Sequence, residues 1–155
     1  MISNLIHDEV DGIKMTEDQI KSHVGIMFTA GSSTTHDSLG NILYALLSNR
    51  DNWKKVKLYP ELRPLAIEEA LRWESAVSML PRMSNKETDI EFGGVTIKAN
   101  TFVMFGICGA NHDHSVFNDP HDYKIGRKVE KMMTFGPGPR MCPGMHLARK
   151  ELSVI

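Results

Sequence analysis

The chain has 155 residues, of which 24% are Asp, Glu, Lys or Arg, and a formal net charge of −1 at neutral pH. That balance gives no pull toward nucleic acid or an anionic membrane surface, no run is long and apolar enough for a membrane span, and the first residues lack the basic-then-apolar pattern of a secretion signal. Two cysteines, Cys108 and Cys142, make no disulfide framework and fit a reducing cytoplasm.

Thr16-Glu17-Asp18-Gln19 has the form of a capping box. It opens a helical pattern from Ile20 to about Ser48, with Ile26, Met27, Leu39, Ile42, Leu43, Leu46 and Leu47 at helical spacing. Such a helix runs about 45 Å at a rise of about 1.5 Å per residue, which is long for this chain and calls for a larger body around it. Its middle, Thr29-Ala30-Gly31-Ser32-Ser33-Thr34-Thr35, consists mostly of poor helix formers. Two readings stand: hydroxyls that bond back to carbonyls and bend the helix, or a groove for a small ligand in which Gly31 allows close approach and Thr34 offers a hydroxyl.

After a break at Asn49-Arg50-Asp51, Asp51 is placed to cap a short helix running to about Lys57, and Pro60 ends it. Pro64 suits the first turn of a helix from Leu65 to about Trp73, with Ala66, Ile67, Ala70 and Leu71 on its apolar side. Glu69 and Arg72, three apart, share one face of it. Ser75 to Val103 reads as strands, with Thr88 to Phe92 and Val95 to Ile97 alternating around Gly93-Gly94, a two-residue hairpin signal. Lys98 to Thr101 is a further turn. Cys108, His112 and His114 offer three zinc ligands in sequence, but a structural site wants a fourth and none is indicated. Ten methionines suit irregular apolar pockets as well as they suit a plain core.

The densest signal is Phe135-Gly136-Pro137-Gly138-Pro139-Arg140-Met141-Cys142-Pro143-Gly144. Gly136, Gly138 and Gly144 permit backbone conformations closed to other residues, while Pro137, Pro139 and Pro143 fix their own φ, so the loop is stiff and bent. Cys142 falls where a helix from Pro143 onward begins, and Arg140 adds a positive charge; both favour a thiolate, which can act as nucleophile or metal ligand. A buried structural cysteine is the plainer alternative. A phosphate cradle is disfavoured because three prolines remove N–H donors, and covalent haem attachment lacks its Cys-x-x-Cys-His pattern.

The order Phe135, Gly138, Arg140, Cys142, Gly144, followed by Leu147-Ala148-Arg149 and Glu151, resembles the haem-binding loop and proximal helix of the cytochrome P450 superfamily. Ala30, Gly31 and Thr34 are similar to that family's oxygen-site motif, with Ser33 where the family usually has Asp or Glu. Glu69-Ala70-Leu71-Arg72 resembles its Glu-x-x-Arg, and Phe117 to Arg127 supplies the arginine that completes a buried network. Gly109 to Asp113 resembles its short helix after the strands. These landmarks stand in the family's order along nearly the whole chain.

The resemblance implies a mainly α fold with small β-sheets, here an incomplete cytochrome P450 fold. Residues 1–155 are then one partial domain, the haem-binding C-terminal part, with an N-terminal part and the extreme C-terminus missing, since the apolar pattern of Leu147, Leu152, Val154 and Ile155 is still running. By resemblance, Cys142 is the axial ligand of a haem b iron, Arg140 and Arg82 meet its propionates, Phe135 shields the sulfur, and Gly136 and Gly144 shape the loop. Ala30, Gly31, Ser33 and Thr34 form the dioxygen site. Ile26, Met27, Val77, Met79 and Leu80 face an apolar substrate, and Glu69, Arg72 and Arg127 form the ion network. The implied activity is monooxygenation by a soluble, bacterial-like, cytoplasmic enzyme, with O2 as co-substrate and electrons from NAD(P)H. A reductase and a small acidic ferredoxin would deliver those electrons, docking near Lys128, Lys131, Arg149 and Lys150. Ser33 leaves open a peroxide-driven or non-oxygenating enzyme of the same fold, and the chain length leaves open a non-catalytic haem-binding remnant. A serine relays a proton but brings no charge near neutral pH.

Overall fold

The long helix is fixed at its start by its own sequence. In the computed structural model, which describes residues 2–85 and 87–154, Thr16 accepts the amide of Gln19 while the Gln19 side chain accepts the amide of Thr16, closing the capping box. The helix, α2, then runs from Glu17 to Ser48. It is preceded by a short helix α1 (Ile2–His7) and a hairpin of β1 (Glu9–Val10) and β2 (Ile13–Lys14), none of which the sequence reading had marked. Asp11 and Gly12 turn that hairpin with both φ angles positive, 54° and 76°. That is the requirement of the tight turn that Asp-Gly favours.

Three helices pack on the later half of α2: α3 (Arg50–Leu58), α4 (Arg63–Trp73) and α6 (Met145–Ser153). Asn49, not Asp51, caps α3, because its side-chain oxygen accepts the amides of Asp51 and Asn52. Asp51 lies inside the first turn, where its charge meets the helix dipole and Lys54. Ile42, Leu46, Val56, Ala66, Ile67, Ala70, Leu71 and Leu152 form one buried cluster between these helices. The earlier half of α2 has no such cover among the described residues, and Ile26 and Phe28 stand 63% and 74% exposed.

The strands form separate two-stranded antiparallel sheets. β3 (Met79–Met83) pairs with β6 (Phe102–Gly106), and β4 (Ile90–Phe92) pairs with β5 (Val95–Ile97) across Gly93-Gly94, both glycines at positive φ. Ser78 then accepts the amides of Ile107 and Cys108, fastening the start of α5 (Ile107–Asn111) to the entry of β3. The expected architecture, mainly helical with small sheets, is the one observed. Ile155 lies outside the described residues.

Candidate cofactor site

The foundation of the site is a buried ion network. Glu69 and Arg72 are both wholly buried, and the carboxylate takes Nε and Nη2 of Arg72 at 2.8 and 2.9 Å. The same carboxylate accepts Nε of Arg127 at 2.8 Å and the amide of Lys124 at 3.0 Å. Arg72 spends its remaining donors on the carbonyls of Asn111, Pro120 and Asp122, and Arg127 on those of Asn118, Asp119 and Asp122. Two positive groups thus share one carboxylate, with carbonyl dipoles taking the excess, which is how charges survive burial. The network ties α4 to the whole segment from 111 to 127. Tyr123 closes it from the side: its hydroxyl donates to the carbonyl of Ala66, and burial, then the nearby Glu69 carboxylate, push its phenol well above the ordinary tyrosine range.

A second buried knot was not read from the sequence. Asn111, fully buried, donates to the hydroxyls of Ser75 and Thr134 and accepts the amide of Met133 at 2.7 Å. The hydroxyls of Ser75 and Thr134 both reach the carbonyl of Leu71. Asn111 therefore clamps the chain just ahead of Phe135 onto the end of α4. Its only sequence signal was membership of the stretch from Gly109 to Asp113.

The cysteine loop grows from that clamp. The amide of Cys142 donates to the carbonyl of Phe135 at 2.8 Å, closing the loop at its neck, and tighter turns link Gly136 to Met133 and Met141 to Gly138. Gly136 and Gly138 have φ of 68° and 82° and need to be glycine. Gly144 does not: its φ is −84°, and a Cβ there would meet Cys142 Sγ at 3.9 Å, an ordinary contact. The helix begins at Met145 with Gly144 as its N-cap, two residues later than expected, because Pro143 and Gly144 form a turn in which Met145 bonds back to Cys142. Cys142 is half-buried, and Arg140 beside it is exposed.

On α2 the hydroxyls of Thr29, Ser32, Ser33 and Thr34 bond back to the carbonyls of Gly25, Phe28, Thr29 and Ala30, at 2.6, 2.8, 3.4 and 2.7 Å. The helix remains continuous through them. Among the described residues nothing lies within 4 Å of the position of a Cβ on Gly31.

The pleat of β3 divides residues the sequence reading had grouped. Leu80 and Arg82 share one face with Val103 and Phe105, while Met79, Pro81 and Met83 share the other with Phe102 and Met104. Met79 and Leu80 therefore do not line one surface together. Arg82 is exposed, and its guanidinium donates to the carbonyl of Pro81. Val77 lies just before the strand and is half-buried. Cys108, His112 and His114 do not converge either. His112 bonds the carbonyl of Cys108 and stacks on His121 at 5.0 Å, and no group of three such side chains gathers for a metal among the described residues.

Arg149, one of the expected docking cations, is already engaged. It grips both oxygens of Glu68, whereas Lys128, Lys131 and Lys150 are exposed, the first two beside a groove of about 220 Å³ with Val116 and Glu130.

The chemistry of this donor set suits a flat, apolar, dianionic iron macrocycle. There is one soft sulfur in a stiff loop, two guanidiniums, Arg82 and Arg140, that pair with no carboxylate among the described residues, and an open apolar stretch at Ile26, Met27 and Phe28.

Comparison with known proteins identifies a family. The chain is 34% identical over its full length to a steroid C26-monooxygenase of Mycobacterium tuberculosis and 30% identical to cytochrome P450-terp of a Pseudomonas species. It spans 41% and 36% of those relatives' lengths. The solved structure of cytochrome P450 CYP109Q5 from Chondromyces apiculatus superposes with a TM-score of 0.93 at 34% identity, covering 98% of this chain and 39% of that one. CYP109E1 from Bacillus megaterium in complex with corticosterone gives 0.93 at 32%, covering 98% and 40%. The cytochrome P450 family profile matches residues 61–155. The chain belongs to the cytochrome P450 family.

Proposed function

We propose that this chain is the haem-binding part of a haem-thiolate monooxygenase acting on an apolar organic substrate. The observation that carries the reading is the Cys142 loop, closed at its neck by the Phe135 carbonyl and seated on the buried Glu69 and Asn111 networks. Cys142 Sγ would hold the iron as a thiolate, with Arg140 and Arg82 balancing two carboxylates at the rim. A haem bound there supplies dioxygen activation, with one oxygen atom passing to substrate and the other leaving as water. The hydroxyls of Thr34 and Ser33, which donate to the carbonyls of Ala30 and Thr29, would relay protons to that site through water. Ile26, Met27, Val77 and Leu80 keep the approach apolar.

Electrons would come from NAD(P)H through a reductase and an acidic ferredoxin, received near Lys128, Lys131 and Lys150, since the charge of Arg149 is neutralised by Glu68. A cytoplasmic setting belongs to the same reading, because a thiolate ligand must stay reduced and both cysteines are free. Among the described residues no helix is long and apolar enough to cross a membrane. The relatives' names, which range over steroid, terp and polyketide enzymes, support an apolar substrate and no narrower class.

The test is the reduced, carbon monoxide-bound spectrum of the full-length protein. A thiolate-type band that Cys142→Ser abolishes is expected; a parent protein without that band overturns the reading. Ser33 favours one alternative, a peroxide-driven or non-oxygenating enzyme, because no carboxylate stands at that position. Turnover with peroxide and no reductase, unimproved by Ser33→Asp in the reductase-supported assay, would establish it.

A further inference from the structure

Arg149, on α6, is joined to α4 and to the cysteine loop at once. Its Nε and Nη2 meet Oε1 and Oε2 of Glu68 at 2.6 and 2.9 Å, and its Cζ lies 4.8 Å from the centre of the Phe135 ring. Phe135 in turn gives its carbonyl to the amide of Cys142. A bidentate carboxylate fixes the rotation of a guanidinium and leaves its flat face for a ring. Arg149 and Glu68 are 31% and 26% exposed, so water weakens the pair without dissolving it.

Phe135 also packs against the apolar cluster beneath α4, so the ring touches both that cluster and a cation. The next residue, Gly136, has φ of 68° and puts little intrinsic restraint on the direction of the chain there. The grip on the ring therefore acts with the Gly136-to-Met133 turn in orienting the carbonyl at the neck of the loop. Its fixed end is α4, where the neighbouring Glu69 and Arg72 are immobilised by burial.

We propose that Glu68 and Arg149 are positioning residues for the Cys142 ligand: together they hold the Phe135 ring, and through its carbonyl they set the direction of the sulfur. The proposal rests on Cys142 being the iron ligand. It gives Arg149 a role on the inner side of the loop rather than in docking a redox partner.

The experiment uses the haem-loaded, full-length protein and follows conversion of the thiolate-type carbon monoxide band to the thiol-type band during mild heating. Arg149→Ala and the near-isosteric Glu68→Gln should each speed that conversion roughly three- to tenfold, the range a partly desolvated cation-ring contact supports. Arg149→Lys should recover part of the loss. The deciding measurement is a double-mutant cycle with Phe135→Leu: once the ring is gone, Arg149→Ala should add little. If Arg149→Ala has its full effect without the ring, the pair is only a link between α4 and α6 and the proposal fails. Unchanged conversion in Arg149→Ala and Glu68→Gln also overturns it, while leaving the haem-thiolate reading intact. A parent protein with no thiolate-type band overturns both.

Discussion

Glu69 and Arg72 sit one turn apart on α4, both completely buried, and meet through two bonds of 2.8 and 2.9 Å. On an exposed helix that spacing is worth tenths of a kcal/mol. Here Arg127 and three carbonyls make it the joint between α4 and the segment from 111 to 127. Glu69→Gln removes the charge that two guanidiniums share and leaves both under-paired. It should cost about 3–5 kcal/mol, and Arg72→Lys should not rescue the fold, because an ammonium cannot reproduce the fork. Chemical denaturation of the full-length variants measures this; a loss below about 1 kcal/mol would mean the network is dispensable.

Tyr123 gives a pH signature. Its phenol is held protonated in the folded state by burial and by Glu69, above the ordinary value of 10.0. Because the folded pKa is raised, its contribution is fully present below pH 10 and is lost as pH rises above that, where the unfolded chain releases the proton and the folded one does not. Stability measured from pH 8 to 11 should fall more steeply in the parent than in Tyr123→Phe, by about 1.4 kcal/mol per pH unit at most. At pH 8 the variant should be weaker by about 1 kcal/mol for the lost bond to Ala66. Equal slopes would mean the phenol is not held neutral by the fold.

Two glycines of the cysteine loop should answer differently to alanine. Gly138 has φ of 82° with open space around its Cβ position, so Gly138→Ala carries backbone strain alone, about 1–2 kcal/mol. Gly144 has φ of −84°, and the protein's own atoms leave room for a methyl group. Thermal unfolding of the haem-free full-length protein should show a loss for Gly138→Ala and almost none for Gly144→Ala. If Gly144→Ala retains stability but not haem, the need for glycine there comes from the cofactor.

The pleat of β3 separates Leu80 from Met79. Leu80→Asn should change the spectral response to apolar ligands and weaken their binding at least several-fold, since it shares a face with Arg82. Met79→Asn should leave that response nearly unchanged. Titrations of the full-length protein compare the two, and the reverse ranking would place the substrate on the opposite face of the sheet.

Much of this was legible because it is local. The Thr16 to Gln19 box, the Gly93-Gly94 hairpin, and the spacing of Ala66, Ile67, Ala70 and Leu71 each declare themselves within one or two turns of chain. Asp11-Gly12 is as plain a turn signal, but the strands beside it have only two residues each, too few to show an alternating pattern. Other features depend on partners far away. Glu68 meets Arg149 across 81 positions, and Asn111 meets Thr134 across 23, so neither sequence neighbourhood shows the bond. Asn49 displaced Asp51 as the cap of α3 because the choice depends on where the preceding helix stops. The late start of α6 follows from a turn in which Met145 bonds to Cys142, which the proline alone did not reveal.

Among the largest side chains with no measurable contact with solvent are Arg72, Glu69 and Asn111. An interior built on such groups reverses the usual rule for redesign. Apolar positions around it, such as Ile67 or Leu71, accept residues of similar volume with modest repacking, while changes that preserve shape but replace polar atoms, such as Glu to Gln or Asn to Leu, disable the centre. Libraries that diversify this scaffold for new substrates therefore have least freedom where the chain is most hidden.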